Sequence, residues 1–288
     1  MLPHILVFDS GVGGLSVVNE LDQLLGHYHL TYLFDNACFP YGELAEDFLR
    51  KRVVELLIPL CKRILPDIVV IACNTASTIA LPDLRSYLSV PVVGVVPAIK
   101  PAAMYSKNHV IGLLATPATV HRPYIQKLIE QFAKETQVLR IGSSKLVKLV
   151  ERKLSGIPIL NEQLQQIMSP WLNGQGLSPD VIVLGCTHFP LIKQQLVSVF
   201  PDNVQFIDSG AAIARRVGQL LKTAHLLADE VELEGERLAY FTEEGVHSQL
   251  LWTPFKDYRF KAIRLYSDCL CARLQDEPSI YVVETPAH

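Results

Sequence analysis

The chain has 288 residues, 49% hydrophobic and 19% charged, with a formal net charge of −3. That length allows one large domain or two of ordinary size, and the apolar content suits packed cores rather than a disordered chain. No block of like charge stands out, so neither a nucleic-acid footprint nor a polybasic membrane patch is expected.

Residues 5–8 predict a short strand, 14–25 a helix and 32–34 a second strand. Apolar positions at helical spacing (Phe48, Val53, Leu56, Leu57, Leu60, Ile64) predict a helix over 47–65. A strand at 68–72, a helix at 75–88 and a strand at 92–95 follow. This βαβα rhythm argues for a parallel, doubly wound sheet. The pattern then starts afresh with strands at 110–114, 138–141, 181–184 and 204–207. Helices are expected at 120–134, 145–153, 161–172, 191–199 and 211–227. A strand at 238–242 and another at 281–283 are weaker signals, and residues 252–273 have no clear assignment.

The two stretches echo each other. Cys73 and Cys186 lie 113 positions apart, each closing a run of aliphatic residues. The strands before Pro97 and Ser209 repeat at an offset of 112, and Leu113 to Thr116 echoes Val7 to Ser10 at 106. Three such echoes in one order predict an internal duplication. The expected fold is α/β, with two similar doubly wound domains, mainly parallel sheets, a pseudo-twofold relation and an active site in the cleft between them. The prolines at 97–101 suggest the boundary. The first domain would hold residues 1–97 plus about 210–288, and the second 98–209.

The start of the chain shows no signal-peptide pattern, and the most apolar stretch, 90–99, is too short to span a bilayer. A cytoplasmic, membrane-free protein is expected. Six cysteines stand at 38, 61, 73, 186, 269 and 271. A reducing compartment would keep them as thiols. Their spacing fits no zinc pattern, so no metal is expected. Cys61 falls in a helical pattern and reads as a packing residue.

Ile68 to Ala72 and Val181 to Gly185 read as fully buried parallel strands. Ligands of open α/β sheets bind beyond the carboxyl ends of the strands. Cys73 and Cys186 should therefore emerge where a substrate lies. A carbon held between two thiols can lose a proton to one and gain one from the other, which is stereoinversion α to a carboxylate by general acid–base catalysis. The α-proton of an amino acid is a very weak acid, so donors must stabilise the carbanion and its carboxylate. Asn74-Thr75 and Thr187-His188 follow the thiols at strand–helix turns, where N–H groups and hydroxyls attract carboxylates.

The turn Asp9-Ser10-Gly11-Val12-Gly13-Gly14 follows a strand and precedes a helix. It lacks the dinucleotide spacing and the P-loop lysine. An anion cradle for a carboxylate and a plain tight turn both fit. Singly, Cys73 or Cys186 would read as a buried small hydrophobe; together, in repeated settings, they read as catalytic. His188 fits a surface or capping role as well as a proton partner. Asp9 fits a turn former, or a group that binds an ammonium or tunes a thiol. Residues 35–42 default to a loop, with Tyr41 and Gly42 able to offer backbone and hydroxyl contacts. Glu151 lies in a charged helical stretch whose default is a solvated face. Asp208 to Gly210 reads as a turn and helix start.

Phe8 to Ser16, Tyr41-Gly42, Ala72 to Ala76 and Leu184 to Pro190 together closely resemble the glutamate racemases, part of the cofactor-independent aspartate/glutamate racemase family. The likeness spans about residues 5–220. Residues 142–151 and 208–216 look most like the branch found in Gram-negative bacteria. The resemblance implies interconversion of L- and D-glutamate with no cofactor, feeding peptidoglycan synthesis. It gives Cys73 the α-proton of D-glutamate and Cys186 that of L-glutamate, with Asp9, Glu151 and His188 assisting. It gives substrate binding to Asp9, Ser10, Tyr41, Gly42, Asn74, Thr75, Thr116, Thr187 and His188.

The family often forms homodimers. Its Gram-negative branch often carries an N-terminal extension and takes a UDP-sugar–alanine activator. This chain starts almost at the first motif, which argues against the activator that the resemblance otherwise implies as a partner. The region after Glu234 looks unlike the family's usual ending. Racemisation of aspartate or a hydantoin is the nearest alternative. A non-catalytic binding or inhibitory partner, as some relatives are of DNA gyrase, is the other, and the intact cysteine pair argues against it.

Overall fold

The computed structural model describes residues 2–173, 177–227, 234–244 and 252–266. The first sheet is built from β1 (His4–Asp9), α1 (Leu15–Leu25), β2 (His29–Phe34), α2 (Glu46–Ile64), β3 (Ile68–Ile71), α3 (Asn74–Tyr87) and β4 (Val92–Gly94). The chain then crosses to α4 (Ile99–Tyr105), β5 (Val110–Ala115), α5 (Pro117–Val120), α6 (Pro123–Phe132), β6 (Gln137–Gly142), α7 (Ser144–Leu154), α8 (Asn161–Leu172), β7 (Val181–Leu184), α9 (Lys193–Val197) and β8 (Gln205–Ile207). After β8 come α10 (Gly210–Thr223), β9 (Arg237–Phe241), α11 (Trp252–Asp257) and β10 (Ala262–Leu265).

Among the described residues every strand pairing is parallel. The first sheet runs β10-β9-β2-β1-β3-β4 and the second β6-β5-β7-β8. Removing β9 and β10 leaves two sheets of identical order, with β3 and β7 in equivalent places. The fold is the expected α/β architecture of two parallel sheets with one winding, and the sequence echo has a topological counterpart.

Alternation of side chains builds the layers. Ile5, Val7, Ile68 and Val70 pack under α1 and α10 with Val17, Val18, Leu21, Ile213 and Val217. Leu6, Phe8, Val69 and Ile71 face α2 and α3, against Leu49, Val53, Leu57 and Ile79. In the second sheet, Ile182 and Leu184 pack on α7 and α8, and Val181 and Val183 pack on the α4 and α6 side. Burying such a side chain contributes about 1.5–3 kcal/mol. Cys61 lies in the α2 core, as its spacing implied.

Several bounds differ from expectation for local reasons. β2 begins at His29, because the register His4↔His29 carries the ladder past its polar residues. The helix expected over 120–134 breaks into α5 and α6, since Pro123 opens α6 and has no N–H to continue α5. Pro190 likewise sits in a short 3₁₀ turn (Phe189–Ile192) ahead of α9. α10 stops at Thr223, and His225 turns the chain with φ 57°. The helix α4 was not expected, because Pro101 reads as a breaker; in a first helical turn a proline loses no helical bond. Residues 252–273, unassigned from sequence, contain α11 and β10. The expected strand at 281–283 and Cys269 and Cys271 lie outside the described residues.

The two crossings between the sheets touch, for Ser209 Oγ donates to Val96 O at 2.5 Å. Among the described residues no helix is long and apolar enough to cross a membrane.

Candidate active site

β1, β3, β5 and β7 all end toward one pocket, with about 290 Å³ of space free of protein atoms. It lies at the switch points of both sheets, where β1 meets β3 and β5 meets β7. Ser10, Tyr41, Gly42, Cys73, Asn74 and Thr75 line it from the first sheet, and Thr116, Cys186, Thr187 and His188 from the second. Pro40 and Val147 complete the wall and were not expected. Asp9 and Glu151 stand behind this lining.

Cys73 caps the N-terminus of α3, and its carbonyl accepts Ser77 N at 2.9 Å. Its thiol lies 3.7 Å from Ser10 Oγ. Burial pushes the thiol up to about 12, and the charges of Asp9 and Cys186 add to the shift against the Ala76 N–H and Ser10. Cys73 therefore rests as a thiol. Asp9 is fully buried at the end of β1. Its Oδ1 accepts Gly11 N at 3.1 Å and the Ser10 hydroxyl at 3.4 Å, and its Oδ2 has no partner. Burial raises its carboxyl, only partly offset by His188, Thr187 and the Gly11 N–H.

The Cys186 side is built differently. Cys186 Sγ lies 3.7 Å from His188 Nδ1, and His188 Nε2 is 2.7 Å from Glu151 Oε1. That same oxygen accepts Val12 N at 2.9 Å. Burial alone would depress the imidazole, but hydrogen bonds to Cys186 and Glu151 and their charges hold it well above its usual range. Glu151 is thus no solvated surface residue, with its side chain 16% exposed. His188 is buried too, and is neither a surface group nor a side-chain cap.

The glycine turn after β1 is an anion cradle whose anion is the protein's own. A Cβ on Gly11 would collide with Glu151 Oε1, and one on Gly13 would meet His188 and come 2.6 Å from Thr187 Oγ1. Bare backbone at 11 and 13 lets α7 and the β7 turn reach across from the second sheet. Two ion pairs also join the two halves, Lys148 Nζ to Glu43 at 2.9 Å and Arg122 Nη1 to Glu46 at 2.8 Å.

On the opposite wall the hydroxyls of Thr75, Thr116 and Thr119 form a triangle with sides of 3.4, 3.4 and 2.9 Å. Thr119 was missed from sequence; its signal was the cap at the start of α5, where Thr116 Oγ1 accepts Thr119 N. Asn74 Oδ1 is buried without a partner. The Tyr41 hydroxyl, expected to face a ligand, donates instead to Asp35 Oδ2 at 2.7 Å. What Tyr41 and Gly42 offer the pocket is main chain, the opening N–H groups of a 3₁₀ turn (Tyr41–Glu43) that lack partners within it. Asp208 is a turn residue, accepting Gly210 N at 2.8 Å.

Among the described residues no group of three His, Cys, Asp or Glu side chains is placed to hold a metal ion. The arrangement suits proton transfer: two thiols face one pocket from equivalent strand ends, each with its own ionisable neighbours.

The profile of the Asp/Glu/Hydantoin racemase family matches residues 5–217. Similar proteins include the glutamate racemase of Klebsiella pneumoniae, 54% identical over 220 residues that cover 76% of this chain and 77% of that one. That of Proteus mirabilis is 47% identical over 266 residues, covering 91% and 90%. Among solved structures, Escherichia coli glutamate racemase in complex with L-glutamate and the activator UDP-MurNAc-ala superposes with a TM-score of 0.86 at 44% identity, covering 93% of this chain and 99% of that one. With the fold, the paired thiol turns and these likenesses in agreement, the chain belongs to the Asp/Glu/hydantoin racemase family of isomerases.

Proposed function

We propose that this protein interconverts L- and D-glutamate by a two-thiol proton relay and so supplies D-glutamate for peptidoglycan synthesis. The observation that carries the reading is the shared pocket of Cys73 and Cys186, lined by each from the end of its own sheet. Cys186, as thiolate, removes the α-proton of L-glutamate while Cys73, as thiol, protonates the opposite face. The roles exchange when D-glutamate is the substrate.

The surroundings supply what each step needs. His188, held cationic by Glu151, stabilises a Cys186 thiolate. The unpartnered Asn74 Oδ1 accepts from the substrate ammonium. Asp9 sets the negative field behind Ser10 and Cys73. Main-chain N–H groups of Tyr41, Gly42 and the start of α3, with hydroxyls of Thr75, Thr116 and Thr187, hold the carboxylates. Glutamate is favoured because the relatives at 44–54% identity carry that name and one was solved with L-glutamate.

The test is incubation of each glutamate enantiomer in deuterated water without added cofactor. Racemisation with deuterium at Cα is expected, and Cys73→Ala and Cys186→Ala should each abolish it in folded protein. Full activity in either variant rejects the relay. Turnover of aspartate but not glutamate rejects the substrate. Adding UDP-MurNAc-ala, the activator bound to the E. coli enzyme, tests whether this chain responds to it.

A further inference from the structure

The turn that carries Tyr41 and Gly42 has two backbone bonds of its own, Glu43 N to Pro40 O at 3.2 Å and Leu44 N to Tyr41 O at 3.3 Å, and is anchored further from outside. It hangs from Asp35, a fully buried carboxylate just past β2. Arg52 of α2 grips Asp35 with two parallel bonds, Nε to Oδ2 at 3.0 Å and Nη2 to Oδ1 at 2.9 Å. The Tyr41 hydroxyl donates to Oδ2, and Thr242 Oγ1 donates to Oδ1 at 2.5 Å. Four donors thus occupy both oxygens. Burial alone would raise this carboxyl, but the bonds from Arg52, Thr242 and Tyr41 outweigh it and hold it below the usual range.

Thr242 comes from far along the chain. It follows β9, which pairs in register with β2, Phe34 against Phe241. The contact there is a clasp. Asn36 Oδ1 accepts Thr242 N at 2.8 Å and Glu243 N at 3.1 Å, and Asn36 Nδ2 donates to Glu243 O at 2.7 Å. Ala37 N donates to Thr242 Oγ1 at 3.1 Å. On the other side, Gly42 lies so near Thr116 that an added Cβ would come 2.7 Å from Thr116 Cβ. The turn is fixed from below by Asp35 and has no slack toward the second sheet. Residues 237–243 also lie beyond the 5–217 segment matched by the family profile.

We propose that Asp35, clamped by Arg52 and by Thr242 of the chain's late segment, is a positioning residue that presets the Tyr41-Gly42 turn for a substrate carboxylate. The inference rests on the glutamate reading above. It acts through the main chain of the turn and touches no reacting atom, so its signature lies in substrate affinity. A carboxylate bound by two preset N–H groups needs no loop ordering on arrival. A loosened turn adds that ordering to every binding event, for either enantiomer.

The experiment compares Thr242→Val, Asp35→Asn, Tyr41→Phe and Thr242→Ser with the parent, measuring kcat and KM in both directions alongside melting temperature. Thr242→Val and Tyr41→Phe should each raise KM for L- and D-glutamate by roughly three- to tenfold, the effect of one lost hydrogen bond, with kcat nearly unchanged. Thr242→Ser, which keeps the hydroxyl, should return KM to the parent value. Asp35→Asn should show the larger rise; if it fails to fold, the two milder variants decide. A lower melting temperature with unchanged KM in folded Thr242→Val and Tyr41→Phe would overturn the proposal, for the clamp would then be structural only. A parent that exchanges no Cα proton of glutamate would instead overturn the functional reading, and this proposal with it.

Discussion

Glu151 is hydrogen-bonded to His188 at 2.7 Å through an oxygen that also takes the Val12 N–H of the first sheet's leading turn. One carboxylate therefore holds the charge of an imidazole and fastens the two sheets' loops together.

Glu151→Gln keeps an acceptor for Val12 but removes the charge. The His188 pKa should fall from its raised position, visible as an NMR titration of the ring. A histidine whose folded pKa exceeds its unfolded value adds stability in full below about 6.5, and that share is lost as pH rises through the folded value. The stability gap between parent and Glu151→Gln in urea should therefore be widest below that pH and shrink above it. Catalysis should drop by roughly tenfold or more.

Gly11→Ala tests the cradle. Gly11 has extended backbone, φ −153°, so the substitution brings no conformational strain. The added methyl meets Glu151 Oε1 and comes 3.0 Å from Phe39. We expect a loss of about 1–3 kcal/mol in urea unfolding and a larger proportional loss of racemisation. Parent-like activity would mean that Glu151 does not need its place at the turn.

Asp9 should cost stability while serving the reaction. Its folded pKa is raised by burial, so the folded state grips the proton more tightly than the unfolded one. Stability then falls as pH rises from about 3.9 through the raised value, and the full cost is present well above it. Asp9→Asn should melt higher than the parent at pH 8, with the gap closing toward pH 4, while turnover falls. A lower melting temperature at pH 8 would contradict the assignment.

Cys73, held near 12, should alkylate slowly in the resting enzyme. Only the thiolate reacts, so iodoacetamide labelling of Cys73, followed by peptide mass spectrometry, should rise about tenfold per pH unit between pH 7 and 9 without a plateau. Asp9→Asn should speed it, because one negative neighbour is gone. A plateau below pH 8 would show a thiolate already formed.

The strands were legible because each is a short, nearly unbroken aliphatic run that two covered faces demand. The same runs located Cys73 and Cys186 at strand ends, so the centre of the pocket followed from pattern alone. What pattern could not supply was partnership. Glu151 stands in a charged helix, and only the packing of α7 against the first turn removes it from water. Asp35 and Thr242 are 207 positions apart, and each alone looks like a turn residue. Thr119 and the inward-turned Tyr41 hydroxyl are choices among neighbours that a linear reading does not contain. Prolines misled in both directions: Pro101, taken as part of a boundary, lies in the first turn of α4, and Pro123 opens α6 inside the span expected as one helix over 120–134.

Both sheets share one winding, yet the groups behind the two sulfurs differ: a hydroxyl and a carboxylate on one flank, an imidazole and a carboxylate on the other. Enantiomers dissolved in water have identical free energies, so their interconversion has an equilibrium constant of one. Whatever advantage the uneven flanks give to turnover of one hand must then be cancelled by its Michaelis constant, leaving kcat/KM the same from either side at every pH. Unlike chemistry can thus occupy like scaffolding without biasing the product.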